Sequence, residues 1–382
     1  LTHSCTVYTK VSIVIITFWG YSGALQHTSM EERSKNEELS RLFERTPVIP
    51  LEEGDRYVIF SDLHMGGGGR NDDFLRNSDL FISLLRDHYL PQGYRLILNG
   101  DIEELQRCTI EQVERRWATV YDLFARFRDR TRLIKLFGNH DFDFSLWPDL
   151  VGGFTTQESV RLSHSDGDIF ILHGHQTAGI LERPSAFVQF SLRYFANPLG
   201  IRNPSTSHDS RKKYQTEKRI YDFARSRKII SIIGHTHRPL FESFSKVDAL
   251  KYTIETLVRE YISSESARRS DIEASIQQHK DELDAVTRRD IRRSHKDTLY
   301  ASNLVIPCLF NSGCVVGKRG ITGIELTAKE ISLVHWFNKR ISSKYLIYHG
   351  NQANQLPGSD FFKAVFNTDF LDYIFTRIKL LA

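Results

Sequence analysis

Cysteine is scarce in this 382-residue chain, and what there is does not pair. Cys5, Cys108, Cys308 and Cys314 are scattered with no C-x-x-C spacing. That disfavours a disulfide scaffold or a thiolate zinc site and fits reduced thiols in a cytoplasmic setting. Long apolar runs are lacking as well, none approaching the roughly 18 residues of a membrane-spanning helix. Nor is one sign of charge in excess. The 51 Lys and Arg against 47 Asp and Glu leave +4, too mild to name a nucleic-acid partner. Aromatic residues are plentiful, with 25 Phe and 15 Tyr in a chain that is 40% hydrophobic. A large core is therefore affordable, and a disordered or fibrous chain is excluded. The length suits one large α/β domain with insertions.

The two ends stand apart from the rest. Lys10 precedes an apolar stretch, Val11 to Trp19, that has the outline of a signal-peptide core without a clear cleavage site. The competing reading places residues 1–29 upstream of a natural start at Met30. Residues 1–50 are thus an extension, partly disordered or from a miscalled start, ahead of a main domain over 51–350. Residues 351–382 read as a hydrophobic C-terminal helix, because Phe362, Phe366, Phe370, Tyr373 and Ile374 recur at helical spacing. Asp369 and Asp372 interrupt the face that a membrane would want basic. Docking on the core or on a second copy is favoured over a membrane-peripheral contact.

Between residues 56 and 240 one rhythm recurs: a short β-branched run, a polar cluster, then an amphipathic helical stretch. The runs are Arg56–Ser61, Arg95–Asn99, Arg132–Phe137, Asp168–Leu172 and Lys228–Ile233, with helices near Ser78–Tyr89 and Thr109–Arg130. The spacing matches β-strand–helix–β-strand units, whose strand ends converge on one edge of a sheet. Five polar clusters should therefore meet. They are Asp62-Leu63-His64, Gly100-Asp101, Gly138-Asn139-His140-Asp141, His173-Gly174-His175 and Gly234-His235-Thr236-His237. Any one alone is weak; a lone histidine is more often a surface or satisfied core residue. Together they supply carboxylates, imidazoles and one amide, a nitrogen and oxygen donor set for two divalent cations.

In this arrangement the chain resembles the calcineurin-like metallophosphoesterase superfamily, whose blocks D-x-H, G-D, G-N-H-D/E, H and G-H-x-H all occur in order over residues 62–237. The resemblance implies a four-layer αββα sandwich with helical insertions. Strands at Val305–Val315, Gly320–Leu326 and Glu330–Phe337 would supply its second half, and Cys308 and Cys314 read as core thiols on the closing strand. It also implies one metal on Asp62, His64 and His237, and another on Asn139, His173 and His235, bridged by Asp101. Manganese is the expected ion, with zinc or iron as alternatives. A water between the ions would attack phosphorus in line, and His140, oriented by Glu104, would protonate the leaving oxygen. Asp141 and His175 are expected behind or beside this site. Gly66–Gly69 is either a phosphate-approaching loop or a flexible turn.

Two insertions shape the expected substrate. The first, 176–227, overhangs the site as a lid, and nine Lys and Arg against three Asp and Glu between Arg202 and Lys228 suit an anionic substrate. The second, 246–297, carries eleven charges of each sign and reads as a helical hairpin for capping or homo-oligomer contact. Balanced charge there argues against nucleic acid. The wording Gly100-Asp101-x-x-Glu104 and Gly234–Pro239 is similar to the UDP-2,3-diacylglucosamine hydrolases, although many of those carry Arg where His140 stands. The expected substrate is thus a small or lipid-linked phosphoester or pyrophosphate, a nucleotide-sugar among them. The alternatives are a nuclease or a protein phosphatase of the same superfamily.

Overall fold

The computed structural model describes residues 37–69, 72–146, 153–177, 210–241, 266–293, 306–348 and 351–382, with a few positions between 250 and 262. The apolar runs form strands close to their expected bounds. They are β2 (Arg56–Phe60), β3 (Arg95–Asn99), β4 (Leu133–Leu136), β7 (Gly167–Leu172) and β8 (Ile230–Ile233). Three strands that the rhythm did not mark join them: β1 (Val48–Pro50), β5 (Thr156–Gln157) and β6 (Ser159–His164). Their short or polar stretches carry little periodic signal.

The strands sort into two sheets. The smaller has the order β1-β6-β7-β8-β9, with β9 at Leu309–Asn311. The larger has the order β14-β15-β11-β10-β2-β3-β4-β5, adding β10 (Ile321–Thr327), β11 (Glu330–Asn338), β14 (Asn354–Gln355) and β15 (Phe361–Phe370). A short hairpin, β12 (Ile347–Tyr348) with β13 (Asn351–Gln352), stands apart. One expectation needs correction here. The three late strands do not form the second sheet together, because β10 pairs antiparallel with β2 and β11 with β10, whereas β9 alone pairs with β8. Alternating burial suits a strand to either sheet, so pairing partners cannot be read from the pattern.

Side-chain alternation builds the layers. Tyr57 and Ile59 of β2 point into one core shared with Ile169, Ile171, Ile230 and Ile232 of the smaller sheet. Val58 and Phe60 point the other way, against the helices. Those outer helices are α2 (Ser78–Leu84, continued by a π-turn over Leu85–Tyr89), α3 (Ile110–Arg116) and α4 (Ala118–Arg130). A capping box of Thr109 and Gln112 starts α3. The expected single helix over 109–130 breaks at Trp117, whose Nε1 donates to Gly66 O at 2.9 Å and Asp72 Oδ2 at 3.1 Å. On the opposite side, a helix at 37–45 (α1) and α5 (Ser210–Arg227) lay Leu39, Phe43, Ile220 and Phe223 on the smaller sheet. Helix, sheet, sheet, helix is the αββα order. Strands covered on both faces explain why their sequences run apolar without interruption.

The second insertion contributes α6 (Ser266–Arg293), a polar helix with Ile272 buried. The lid's aromatic stripe, within 178–209, and residues 1–36 of the expected 1–50 extension lie outside the described residues, whereas 37–50 join the main domain as α1 and β1 and most of the lid's basic residues lie on α5. The C-terminal segment departs from the expected single helix. Phe361–Phe370 is β15, paired with β11 along its length, and only Leu371–Leu381 is helix (α7). Tertiary pairing with β11 overrides the local helical spacing. Helix α7 docks Leu371, Ile374, Phe375 and Ile378 on the core. Among the described residues, no helix is long and apolar enough to cross a membrane.

Candidate metal centre

Parallel pairing of β2, β3 and β4 brings their C-terminal ends to one edge, and β7 and β8 do the same in the second sheet. All five polar clusters begin there. Backbone bonds then zip the first two together, with Asp62 N to Gly100 O at 3.1 Å and His64 N to Asp101 O at 3.0 Å. Gly234 N to His173 O at 3.0 Å joins the fourth to the fifth.

The side chains converge through backbone kinks rather than strand alternation. Six non-glycine residues among those described have positive φ, and five of them are Asp62, His64, Asp101, His235 and His237, at +49° to +64°. Each such left-handed residue costs about 1–2 kcal/mol. Their concentration at one place is the mark of a functional site. Glycines allow the close approach. At Gly138 an added Cβ would fall on the Asp101 carboxylate, and at Gly100, with φ +80°, on the His173 ring.

The ligating atoms form three overlapping groups within 4.8 Å: Asp62, His64 and His237; His64, Asp101 and His140; Asp101, His173 and His235. His237 Nε2 lies 3.0 Å from Asp62 Oδ1 and 3.2 Å from His64 Nε2. His173 Nε2 lies 3.2 Å from Asp101 Oδ2, and His64 Nε2 lies 4.0 Å from that same oxygen. Asp101 therefore stands between the two outer groups.

Hydrogen bonds behind the histidines aim their nitrogens. Nδ1 of His173 donates to Asn99 O at 2.7 Å, which turns its Nε2 toward Asp101. Nδ1 of His64 meets Glu104 Oε2 at 3.2 Å, which turns its Nε2 toward the same centre. Asp62 Oδ1 and His173 Nε2 have only the ion-pair contacts above, and in the third block Asn139 Oδ1 is buried without a hydrogen bond. Buried polar atoms are rarely left so, and a cation is the partner this donor set suits. No cysteine among the described residues joins the groups. The residues present fit hard or borderline divalent ions.

Charge is compressed at the centre. Burial would raise the Asp62 carboxyl, but His237 and His173 outweigh it and bring it down to about 2. Asp101 is likewise held well below the ordinary range against burial, by His173 and His140. Burial lowers His173, yet Asp101 lifts it to about 9. His235, buried and next to His173, falls to about 3. His140 has Nδ1 2.9 Å from both oxygens of Glu104, and although burial opposes, Glu104 and Asp101 raise it to about 9.

Other expected residues fall around this centre. Asp141 is fully buried and accepts from Ile102 N at 2.8 Å and from Gly138 N, tying the second block to the third. Burial beside Asp101 pushes its carboxyl up to about 7. His175 packs between the rings of Phe137 and Phe142. In the glycine run, Gly68 N is already bonded to Asp72 Oδ2 at 2.8 Å, which fits a turn better than a phosphate loop. Cys308 is a core thiol with no exposure, but Cys314 is partly exposed in the turn after β9 and bonds His237. The closing strand ends three residues earlier than a core cysteine would need. Sequence reasoning also missed Glu217, Glu103 and Lys135, three buried charged residues behind the site. Charge within an amphipathic stretch carries no sign that it will be buried.

No curated protein matches the chain. Residues 56–241 match the calcineurin-like phosphoesterase family, a span that opens with β2 and closes just after the turn bearing His235 and His237. Over that span, just under half of the chain, the sequence is similar to that family; such a domain indicates a hydrolase acting on phosphoester bonds, and the acid–imidazole groups suit divalent metal ions.

Proposed function

We propose that the centre is dinuclear, with Asp62, His64 and His237 on one divalent cation, Asn139, His173 and His235 on the other, and Asp101 shared. The observation that carries this reading is the chain of three overlapping acid–imidazole groups linked through His64 and Asp101. Manganese is the favoured ion, since the set holds nitrogen and oxygen donors only; zinc and iron are the alternatives. Bound divalent ions would polarise the phosphoryl group and supply a deprotonated water near neutral pH.

The chain's own residues supply the rest. His140, with Nδ1 held by Glu104, keeps its other ring nitrogen free of that carboxylate. The Glu104 carboxylate favours its protonated form, able to give a proton to the leaving oxygen. Buried side chains around Asp101 and His173 keep bulk water from the charged centre, which strengthens every interaction there.

The substrate we favour is a small anionic phosphate, a nucleotide-sugar or lipid-linked one among them, with a nuclease or protein-phosphatase activity as the alternative. The Gly100–Glu104 and Gly234–Pro239 wording supports the nucleotide-sugar class, whereas His140 supports the broader phosphoesterase chemistry. Purified protein with Mn²⁺ is expected to hydrolyse bis-p-nitrophenyl phosphate, its monoester, or a nucleotide-sugar pyrophosphate. Chelation and Asp101→Asn should each lower the rate at least about 1000-fold, the scale of a preorganised electrostatic contribution. Turnover that survives both would overturn the proposal.

A further inference from the structure

The turn that carries His235 and His237 is gripped from outside by a carboxylate that none of the chemistry above uses. Glu217 lies midway along α5 and has no solvent exposure. Its Oε1 accepts from Thr236 Oγ1 at 2.8 Å, and its two oxygens receive the Arg238 guanidinium. Thr236 and Arg238 alternate with the two candidate ligands in His235-Thr236-His237-Arg238. From the opposite side, Asn311 Nδ2 at the end of β9 donates to Thr236 Oγ1 at 2.8 Å and to Gly234 O at 3.1 Å. The turn is clamped between a helix and a strand.

Such a clamp answers a specific need. His235 and His237 both sit in left-handed backbone, at φ +64° and +54°, and an unsupported turn would relax from it. Thr236 is fully buried between them, so its hydroxyl must be bonded and its direction fixes those of its neighbours. A buried carboxylate is itself costly unless it is paired and fully bonded. Glu217 meets that condition only while Thr236 and Arg238 stay in place, so each side of the clamp holds the other.

We propose that Glu217 is a positioning residue: through Thr236 and Arg238 it fixes the one turn geometry in which His235 and His237 both face the metal centre. This rests on the metal-centre reading above. It makes metal affinity depend on α5, the arm by which the first insertion returns to the smaller sheet.

The test uses the full chain as wild type, Glu217→Gln and Thr236→Val. Each metal-free protein is checked by circular dichroism and thermal melting. Mn²⁺ affinity is then read by competition with a chromophoric chelator, and the ligand field by the visible spectrum of the Co²⁺ form. Both variants should stay folded, bind Mn²⁺ about 10–100-fold more weakly, and show an altered cobalt spectrum, the scale typical of a lost partner behind a metal ligand. Thr236→Val, which removes one hydroxyl at constant shape, carries the test if Glu217→Gln fails to fold. Folded variants with unchanged affinity and spectrum would overturn the proposal, as would a fall in melting temperature alone. A wild type that binds neither ion would sink the metal-centre reading itself, and that failure shows before any variant is made.

Discussion

One carboxylate serving two imidazoles is the notable feature at the scale of single residues. Glu104 reaches His140 Nδ1 at 2.9 Å and His64 Nδ1 at 3.2 Å. It was expected to orient His140 alone. Its removal should therefore show in the pH profile as well as the rate. An acid must be protonated to act, so activity that depends on His140 falls on the alkaline side of a pKa that Glu104 raises. In Glu104→Gln the largest factor raising that pKa is gone. The alkaline limb should move down toward the ordinary histidine range, and kcat should fall about 100-fold. An unmoved limb would show that His140 is not the acid. A second histidine, far from the centre, gives a stability prediction. His335 on β11 is buried against Phe337, Phe366 and Tyr345, and burial lowers its pKa from 6.5 to about 4. The folded state thus holds a neutral imidazole where the unfolded chain would take a proton. That stability is complete above pH 6.5 and drains as pH falls toward 4, by at most about 3 kcal/mol. Urea unfolding of chelator-treated protein at pH 4.5 and pH 7 should show the difference shrink in His335→Phe.

Elements meet the site through buried charge. Strand β4 carries Lys135, 3% exposed, into the layer behind Asp101, where its Nζ lies 2.7 Å from Glu103 Oε1 and 3.9 Å from the centre of the Phe144 ring. Tyr121 of α4 donates to the same oxygen at 2.8 Å. This cluster joins a strand, an outer helix and the loop after Asp101. Lys135→Met would strand the Glu103 charge without its cation and should cost about 3–5 kcal/mol in denaturant unfolding. Adding Glu103→Gln should restore much of that loss. A double variant no better than the single would mean that Lys135 acts by packing over Phe144 instead. The same scale explains the partial legibility of the chain. Strands β2, β3, β4, β7 and β8 were visible because short apolar, β-branched runs bounded by polar and glycine clusters read as strands. Strand β15 was not, since its alternating pattern and a helical spacing coincide over ten residues, and only pairing with β11 decides between them.

Across the whole molecule, the candidate centre sits on the seam between the two sheets. Asp62, His64, Asp101 and Asn139 follow strands of the larger sheet, whereas His173, His235 and His237 follow strands of the smaller. Each proposed cation would thus take ligands from both sheets and act as a cross-link. Ligands that bind only the folded state stabilise it by mass action, by about 2.7 kcal/mol at a free ion concentration a hundredfold above Kd. Mn²⁺ should therefore raise the unfolding midpoint by several degrees, EDTA should reverse the rise, and Asp101→Asn should blunt it. A midpoint indifferent to both would leave the seam without its metal.

The amino-acid order alone determined which residues could do this chemistry, because acids, imidazoles and one amide at strand exits are a local pattern that the chain displays directly. It also determined that those exits meet, since short strands separated by helices pair in parallel, but not that they divide between two sheets. Tertiary structure alone decided which sheet received β10 and β11, that left-handed turns rather than strand alternation aim Asp62 and His64, and that Cys314 lies beside His237. It also chose Glu217, nineteen residues from Thr236, and Asn311, seventy-five residues from it, as the two jaws on one turn. Periodicity reports only what a segment buries, whereas a hydrogen-bond partner is settled by where another part of the chain comes to rest.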